Sequence, residues 1–556
     1  MSNSAIDKIE MQIMWNRLIA VVEEQAQTLI RTAFSPTVRE AGDLSAGVFD
    51  TKGNMLAQAV TGTPGHVNAM AASVGRFLEE YPLQILQEGD VLITNDPWDG
   101  TGHLNDFTVV TPTFQNESCI ALFASTTHIA DVGGLGFGPE GRNVYEEGIQ
   151  IPITHLFRKG HLDETLMKII LANVRDPIAA EGDLYSLTAC NRAGGIQLLA
   201  MMQEFGLPDL CTLGSMIINT SRDAMLEELG KLPKGEYRSR MRIDGYNQPV
   251  DLICALTITN DEIAIDFAGT SKQSSFGINV PITYTQAYAS FGVRCVIGND
   301  IPNNAGSISV IRVTAPKGSL LNAPRPAAVS ARHAIGQMLP DLVLGCLAEP
   351  LEWQVSAQGA GCLWLPVIFG GPGVAGEYEG DPGPEFVINP FHSGGTGARP
   401  TKDGLSTTAF PSGVKNTPVE VNEATAPIII WQKEYLTDSG GAGKFRGGLG
   451  QIMEFGHSYG APFVVSRMFD RIDHPAEGFA GGQDGGCGKT YISDGHLLPG
   501  KGRDLIPAGE SFFIETPGGA GIGDPAAREP EMVHSDLRDG LISEHSARDI
   551  YRLAEK

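Results

Sequence analysis

The stretch Asn95-Asp-Pro-Trp-Asp-Gly-Thr-Gly-His103-Leu-Asn-Asp106-Phe-Thr-Val-Val-Thr-Pro-Thr-Phe114-Gln-Asn-Glu-Ser-Cys119-Ile-Ala-Leu-Phe-Ala-Ser-Thr-Thr127-His128 decides how this chain is read. Residues 107–114 and 119–127 are rich in Val, Phe and Thr, which suit a pleated surface, and Gln115-Asn-Glu-Ser118 supplies turn chemistry between them. They predict an antiparallel hairpin. Its turn centre lies near 117, which is also the mean of 106 and 128. Asp106 and His128 then face each other across the ladder, with Cβ atoms about 4.5–5.5 Å apart. Pairing 114 with 119 instead puts the centre at 116.5, and a slip of one residue turns one of the two side chains away.

His103 stands three residues before Asp106, in a glycine-containing loop able to fold back over the strand end. Two imidazoles and a carboxylate converging there make a facial set suited to a divalent metal (Zn²⁺, Mn²⁺ or Fe²⁺), with positions left for water or substrate. The competing reading is a polar loop with ordinary hydrogen bonds, and it weighs less for three such residues than for one. Asp43, in Arg39-Glu-Ala-Gly-Asp43-Leu-Ser, is a candidate fourth ligand by residue type, against a plain turn aspartate before a strand. His66, in Pro64-Gly-His66-Val-Asn, is either a group beside metal or substrate or a resident of the turn before a helix. Asp131 either orients a ligand histidine or belongs to the turn before Gly133-Gly134. His66 and Asp131 are the candidate catalytic proton carriers.

Outward from the hairpin, residues 5–33 carry Ile9, Ile13, Leu18, Val22, Leu29 and Ile30 at roughly helical spacing, which predicts a long amphipathic helix. Ser35-Pro36 ends it. A hairpin over 44–49 and 55–59, a helix over 68–80 and a strand over 91–94 precede the central hairpin. Helical patterns follow at 161–174, 180–204 and 210–229. From 236 to 330 the texture is β-rich, a helix fits 332–349, and beyond 360 Gly and Pro punctuate short strands. A last helix is expected from Ser543, with Ile550 and Leu553 on its apolar face. The fold class expected is α+β, in three units: 1–235 with the metal site, 236–430, and a glycine-rich 431–556 ending in a helix.

With 40 Lys+Arg against 65 Asp+Glu, a formal charge of −25 and no basic tract, the chain is not built for nucleic acid or an anionic membrane surface. Eight cysteines are scattered singly, without a C-x-x-C pair, which argues against a zinc ribbon or a disulfide scaffold. No signal-peptide core opens the chain, and no apolar run reaches the length of a membrane span. A cytoplasmic protein is expected.

Glycine is in excess: 68 of 556 residues, about 12% against an average near 7%. Gly482-Gln-Asp-Gly-Gly-Cys-Gly488-Lys489-Thr490 imitates a phosphate-binding loop, but the first glycine of that motif has to fall at 483, which is Gln483. Clusters at 370–373, 394–397, 440–448 and 517–523 are tight turns between strands, or else backbone nests for anions, with Lys444 and Arg446 adding charge.

Several of these segments together resemble the hydantoinase B/oxoprolinase family, whose members include the B-type component of N-methylhydantoinase. In the N-terminal part the resemblance rests on Arg39-Glu-x-x-Asp43-Leu-Ser, Asn95-Asp-Pro, Gly102-His103-Leu-Asn-Asp106 and His128-x-x-Asp131-x-Gly-Gly. Further on it rests on Pro302-x-Asn304-x-Gly306, Gly394-Gly-Thr-Gly-Ala-Arg399-Pro, Asp438-Ser-Gly-Gly-x-Gly-Lys-Phe-Arg-Gly-Gly-Leu-Gly450 and Thr516-Pro-Gly-Gly-x-Gly-x-Gly-Asp-Pro525. The resemblance implies a B-type subunit of an ATP-dependent cyclic amidase. An A-type partner with an actin-like ATPase fold would use ATP to phosphorylate the lactam or imide carbonyl, and the B-type subunit would complete ring opening at a metal. It implies ligands at His103, Asp106 and His128, with Asp43 matching an upstream aspartate. Relatives also include subunits of acetone and acetophenone carboxylases, so a ketone carboxylase subunit is one alternative, less favoured because those catalytic subunits look longer. A non-catalytic scaffold for the ATPase partner is another.

Overall fold

The computed structural model describes residues 3–61 and 63–553, with side chains from residue 9 onward. The helix Asn3–Thr32 buries Met14, Leu18, Val22, Ala26 and Leu29, one stripe at helical spacing. Ile9 and Ile13, expected on that stripe, are instead more than half exposed, because they lie to one side of it, Ile13 about 100° around the helix from Met14.

Seven strands form the first sheet: β1 (Leu44–Phe49), β2 (Met55–Gln58), β3 (Val91–Thr94), β4 (Asp106–Gln115), β5 (Ser118–His128), β6 (Thr154–Arg158) and β7 (His161–Leu162), in the order β2-β1-β5-β4-β3-β6-β7. The β4–β5 ladder settles the question of register. Asp106 pairs with His128 and the pairing stays centred on 117 through Thr113↔Ala121; a bulge then leaves Ile120 unpaired, and Phe114 pairs with Cys119. Both turn centres read from the sequence are therefore present, one on each side of the bulge.

The sheet is covered on both faces, which explains why its central strands are buried almost throughout. Phe123 packs with the Asn3–Thr32 helix, while Val110, Leu122 and Ala124 pack with Val67, Met70, Val74 and Phe77 of the helix Pro64–Glu80. Asp106, Thr108 and Val110 share that second face by the period of two, and Thr108 meets Thr126 across the ladder at 2.9 Å. Asp106 thus points to the side from which the helix carrying His66 approaches.

A second sheet runs 311–314, 263–266, 250–258, 235–243, antiparallel except between the first two strands. The β-rich texture expected over 236–330 is interrupted by the helix Ile282–Arg294. Its sequence, Ile-Thr-Tyr-Thr-Gln-Ala-Tyr-Ala-Ser-Phe-Gly-Val-Arg, is rich in β-branched and aromatic residues, and burial of Tyr284, Tyr288, Ala289 and Val293 in the largest core cluster outweighs that local preference. The helix expected over 332–349 is two pieces, His333–Gly336 and Leu339–Leu347. A third sheet joins 386–388 and 367–370 to 463–468 and 501–506, so the unit boundary expected at 430/431 passes through a continuous sheet. A fourth holds 428–435, 451–457, 512–515, 489–492 and 497–498. Lys489–Ile492 is a strand, not the helix a phosphate-binding loop would feed. At the C-terminal end, a helix at Pro530–Arg538 escapes the sequence reading, and the turn after Ser543 is a π-helical Ser546–Ile550 whose Ser546 N–H donates to the Ser543 hydroxyl.

The glycine clusters are mostly neither nests nor simple turns. Segments near 394–397, 440–450 and 517–523 lie backbone against backbone: Gly395 N–H donates to Pro517 O, Gly448 N–H to Thr396 O, Gly519 N–H to Gly448 O and Gly441 N–H to Gly519 O. Those donors are spent inside the protein, and Arg446 is buried against Asp536. Among the described residues no helix is long and apolar enough to cross a membrane, and the eight cysteines are free thiols.

Candidate metal centre

At the start of β4 and the end of β5, three donor atoms converge. His103 Nε2 lies 2.6 Å from Asp106 Oδ1, and His128 Nδ1 lies 3.2 Å from the same oxygen and 3.3 Å from His103 Nε2. All three residues are buried. The other oxygen of Asp106 is taken from behind: Thr101 Oγ1 donates to Oδ2 at 2.8 Å, His66 Nε2 lies 2.9 Å from it, and the Arg332 guanidinium is bonded to it. Oδ1 is left facing the two histidines.

The protonation of His103 follows from its other nitrogen. Nδ1 lies 3.0 Å from the carbonyl oxygen of Ser330, which can only accept, so Nδ1 carries the hydrogen and Nε2 of the neutral ring presents a lone pair. Burial, reinforced by Arg332, pushes the pKa of His103 down to about 3 against the pull of Asp106, so the ring is neutral. Asp106 is ionised: burial would raise its pKa, but His103, His66 and Arg332 hold it well below the usual carboxylate range. A ring lone pair and a carboxylate lone pair therefore oppose each other at 2.6 Å. Such a contact is repulsive unless a cation lies against both. The donor set, two imidazole nitrogens and one carboxylate oxygen, fits Zn²⁺, Mn²⁺ or Fe²⁺.

His66 lies in the first turn of the helix Pro64–Glu80, inside the helix that was expected to begin after it. Its Nδ1 is 3.5 Å from Asp43 Oδ1 and its Nε2 faces Asp106, so the ring sits between two carboxylates. Burial lowers its pKa, but Asp106 and Asp43 outweigh that and hold it above the ordinary histidine value. Asp43 lines the same cavity, and Thr63 Oγ1 donates to it at 2.8 Å; it stands outside the group of three whose donor atoms lie within 4.8 Å of one another. Asp131 is elsewhere. Its carboxylate is occupied by the Arg175 side chain and backbone N–H and by Gly133 N–H, and it contributes nothing to the cavity wall. The ion pair with Arg175, forty-four positions on, removes it from any role of orienting His103 or His128 by contact.

Sequence reading alone did not find the far wall. Arg332 is buried, donates to Thr101 O at 2.9 Å and lies 4.0 Å over the Tyr284 ring. Gly102 makes room for it: φ is +101°, and a Cβ there would meet Arg332 Cδ and Nε at 2.7 Å. His333 is buried with neither ring nitrogen partnered, and burial together with Arg332 holds its pKa well below the ordinary value. Phe137 lies against the rings of His103, His128 and His333. These residues are hundreds of positions from the hairpin or in a loop without a pattern; the one available signal was Arg332-His333 as a basic pair inside the largely apolar run 327–344.

The comparison with known proteins agrees with the sequence motifs. The family model for hydantoinase B/oxoprolinase matches residues 7–525. The chain belongs to the hydantoinase B/oxoprolinase family. It is 31% identical to an uncharacterized protein of Methanocaldococcus jannaschii, over 99% of this chain and 96% of that one. It is 29% identical to a Pseudomonas protein named as the putative B-type subunit of a D-/L-hydantoinase, over 98% and 94% of the two chains. It is 28% identical to 5-oxoprolinase 1 of Arabidopsis thaliana, where 94% of this chain spans 42% of the relative. The fold is that of an ATP-dependent caprolactamase from Pseudomonas jessenii, with TM-score 0.88 at 22% identity over 99% and 96% of the chains. It is also that of an acetone carboxylase chain, with TM-score 0.84 at 19% identity over 97% and 79%.

Proposed function

We propose that this member of the hydantoinase B/oxoprolinase family is the B-type subunit of an ATP-dependent cyclic amidase, acting on a lactam or imide whose carbonyl oxygen an A-type partner has phosphorylated. The observation that carries the reading is the convergence of His103 Nε2, Asp106 Oδ1 and His128 Nδ1, each within 3.3 Å of the other two in a buried pocket. His103, Asp106 and His128 would hold a divalent ion, with Asp43 the candidate for a further ligand. When bound, such an ion supplies Lewis acidity, making water acidic enough to yield hydroxide near neutral pH and drawing charge from a substrate oxygen.

The protein's own groups do the rest. Arg332 and Thr101 fix the carboxylate of Asp106 so that one oxygen stays turned inward. His66, held between Asp106 and Asp43, is the proton carrier to the departing ring nitrogen. Phe137, Leu363, Leu365 and Phe391 keep bulk water out. The cavity, of about 30 Å³, has room for a water but not for a ring, so the substrate enters only when the walls part.

The test is metal analysis of protein purified without chelator, followed by reconstitution with the A-type partner and an ATP-turnover screen over hydantoins, 5-oxoproline, lactams and ketones. One divalent ion per chain and ring hydrolysis are expected, with His103→Ala and Asp106→Ala abolishing hydrolysis while partner ATPase survives in part. A wild type without stoichiometric metal ends this reading. The acetone carboxylase fold keeps ketone carboxylation as the second reading, and label from bicarbonate in the product would decide for it. Full activity in both variants would leave a scaffold.

A further inference from the structure

The lone pair on His103 Nε2 exists only while Nδ1–H stays on the carbonyl of Ser330. Nothing covalent enforces this. The neutral imidazole can carry its hydrogen on either nitrogen, and Ser330 lies more than two hundred residues away, in an irregular segment between Pro326 and the turn His333–Gly336. The N–H groups of Val329 and Ser330 are both held by one side chain. Glu147 is buried, and its Oε1 accepts from the N–H of Val329 and from the N–H of Ser330, each at 2.8 Å.

The surroundings are shaped around this carboxyl. Gly141 and Gly277 border it, and a Cβ on either would stand 3.0 Å from Glu147 Cγ and 3.1 Å from Oε1 respectively. Other bonds fix the rest of the 326–331 segment: Ala331 N–H donates to Gly277 O at 2.7 Å, Asn279 Nδ2 to Ala328 O at 2.9 Å, and Val144 N–H, in the loop after β5, to Pro326 O at 3.0 Å. Gly138 N–H reaches the Ser330 hydroxyl only at 3.4 Å, whereas the N–H groups of Val329 and Ser330 reach Glu147 at 2.8 Å.

We infer that Glu147 is a positioning residue for the metal centre: by accepting from the N–H groups of Val329 and Ser330 it holds the Ser330 carbonyl on His103 Nδ1–H and so keeps Nε2 as the ligand atom. The inference rests on the metal reading above for its purpose, but not for its geometry. Burial pushes the Glu147 carboxyl up to about 8, the two N–H bonds offsetting only part of this, so near neutral pH it carries a proton. Gln is then a close copy, with a carbonyl oxygen to accept the same two bonds. Partners that orient a metal-bound histidine typically change metal affinity about 10–100-fold when removed.

The experiment uses the full chain as apoprotein at pH 7.5, with Glu147→Gln and Glu147→Ala beside wild type. Two readouts are taken: affinity for Zn²⁺ or Mn²⁺ alone, by competition with a chromophoric chelator, and the tautomer of His103 by ¹⁵N NMR of histidine-labelled protein, assigned through His103→Asn. Wild type and Glu147→Gln are expected to show His103 protonated at Nδ1 and metal affinities within about threefold of each other. Glu147→Ala is expected to lose the Nδ1–H signature and to bind metal about 10–100-fold more weakly. Should Glu147→Ala not fold, Glu147→Asp, which withdraws the carboxyl by one methylene, is expected to shift both readouts the same way. A folded Ala or Asp variant with the wild-type tautomer overturns the inference. A wild type that binds no metal removes the proposed function, while the tautomer readout still decides what Glu147 holds.

Discussion

Asp106 is the residue on which the site turns, because its two oxygens serve opposite purposes. Oδ2 neutralises Arg332 and meets Thr101 and His66; Oδ1 confronts His103 and His128. Asp106→Asn removes the charge from both sides at once. It leaves the Arg332 guanidinium buried without its carboxylate, and breaking a buried pair this way costs about 3–5 kcal/mol. The expected outcome in urea unfolding is a loss of that order together with loss of metal. Adding Arg332→Met should recover part of the stability and none of the metal, and recovery of metal binding in the double variant would show that Oδ1 is not a ligand. Asp341 offers a separate test through pH. Buried in the helix Leu339–Leu347 and accepting from Gly359 N–H at 2.8 Å, it is pushed up to about 6 by burial. The unfolded chain releases this proton near pH 3.9, so between about 4 and 6 the native state holds the extra proton and its stability falls as pH rises, by roughly 3 kcal/mol in all. Asp341→Asn abolishes that contribution. The stability of the variant relative to wild type should climb by about this amount between pH 4 and pH 7; parallel curves would refute it. The trio of converging donors was legible in sequence because its members sit on one hairpin and the loop that leads into it. Asp131 was misleading because its spacing from His128 says nothing of Arg175, and Arg332 could not be placed from the sequence because its contact with Asp106 is made by the fold.

At the scale of the element, the β4–β5 hairpin converts spacing into chemistry. The sequence offered two turn centres half a residue apart, and the unpaired Ile120 is the physical reason that both were present: it adds one residue to β5 without disturbing the pairs from Thr113↔Ala121 to Asp106↔His128. The strands were readable because β-branched and aromatic residues fill them. The Ile282–Arg294 helix was not, because its composition favours a strand and only its packing against the helices Pro64–Glu80 and Leu339–Leu347 reverses this. The bulge makes a two-sided prediction. Deleting Ile120 closes the bulge and keeps Asp106 opposite His128, so metal stoichiometry should persist while the packing on the Asn3–Thr32 helix is weakened. Inserting one alanine between Leu122 and Phe123 shifts the C-terminal half of β5 by one position and turns His128 to the opposite face. Metal should then be lost from folded protein, as measured by metal analysis beside circular dichroism. Retention of full metal content after the insertion would mean that the donor set does not depend on the ladder.

At the scale of the whole molecule, the glycine excess finds its reason in packing between segments far apart in sequence. A Cβ on Gly519 would stand 1.9 Å from Thr396 O, one on Gly447 1.9 Å from Gly519 O, and one on Gly395 1.8 Å from Gly448 O. Those distances are to backbone oxygens, which cannot rotate aside as a side chain does. None of these three glycines has a positive φ, so the requirement is for the missing Cβ and not for backbone freedom. A turn or a nest can be recognised from neighbouring residues, but this layer is assembled from stretches around 395, 447 and 519, and one sequence contains no record that they touch. The consequence can be measured. Gly519→Ala should destabilise by at least about 3 kcal/mol, the upper part of the range for overpacking, because the strain falls on two backbones joined by hydrogen bonds. Gly75→Ala, inside the helix Pro64–Glu80 where an added Cβ meets nothing within 4 Å, should instead stabilise by up to about 1 kcal/mol through helix propensity. Thermal or urea unfolding of the two variants compares the same chemical change in opposite settings. Equal effects would mean that the glycine layer yields under load, and the three clusters would then owe their composition to something other than close packing.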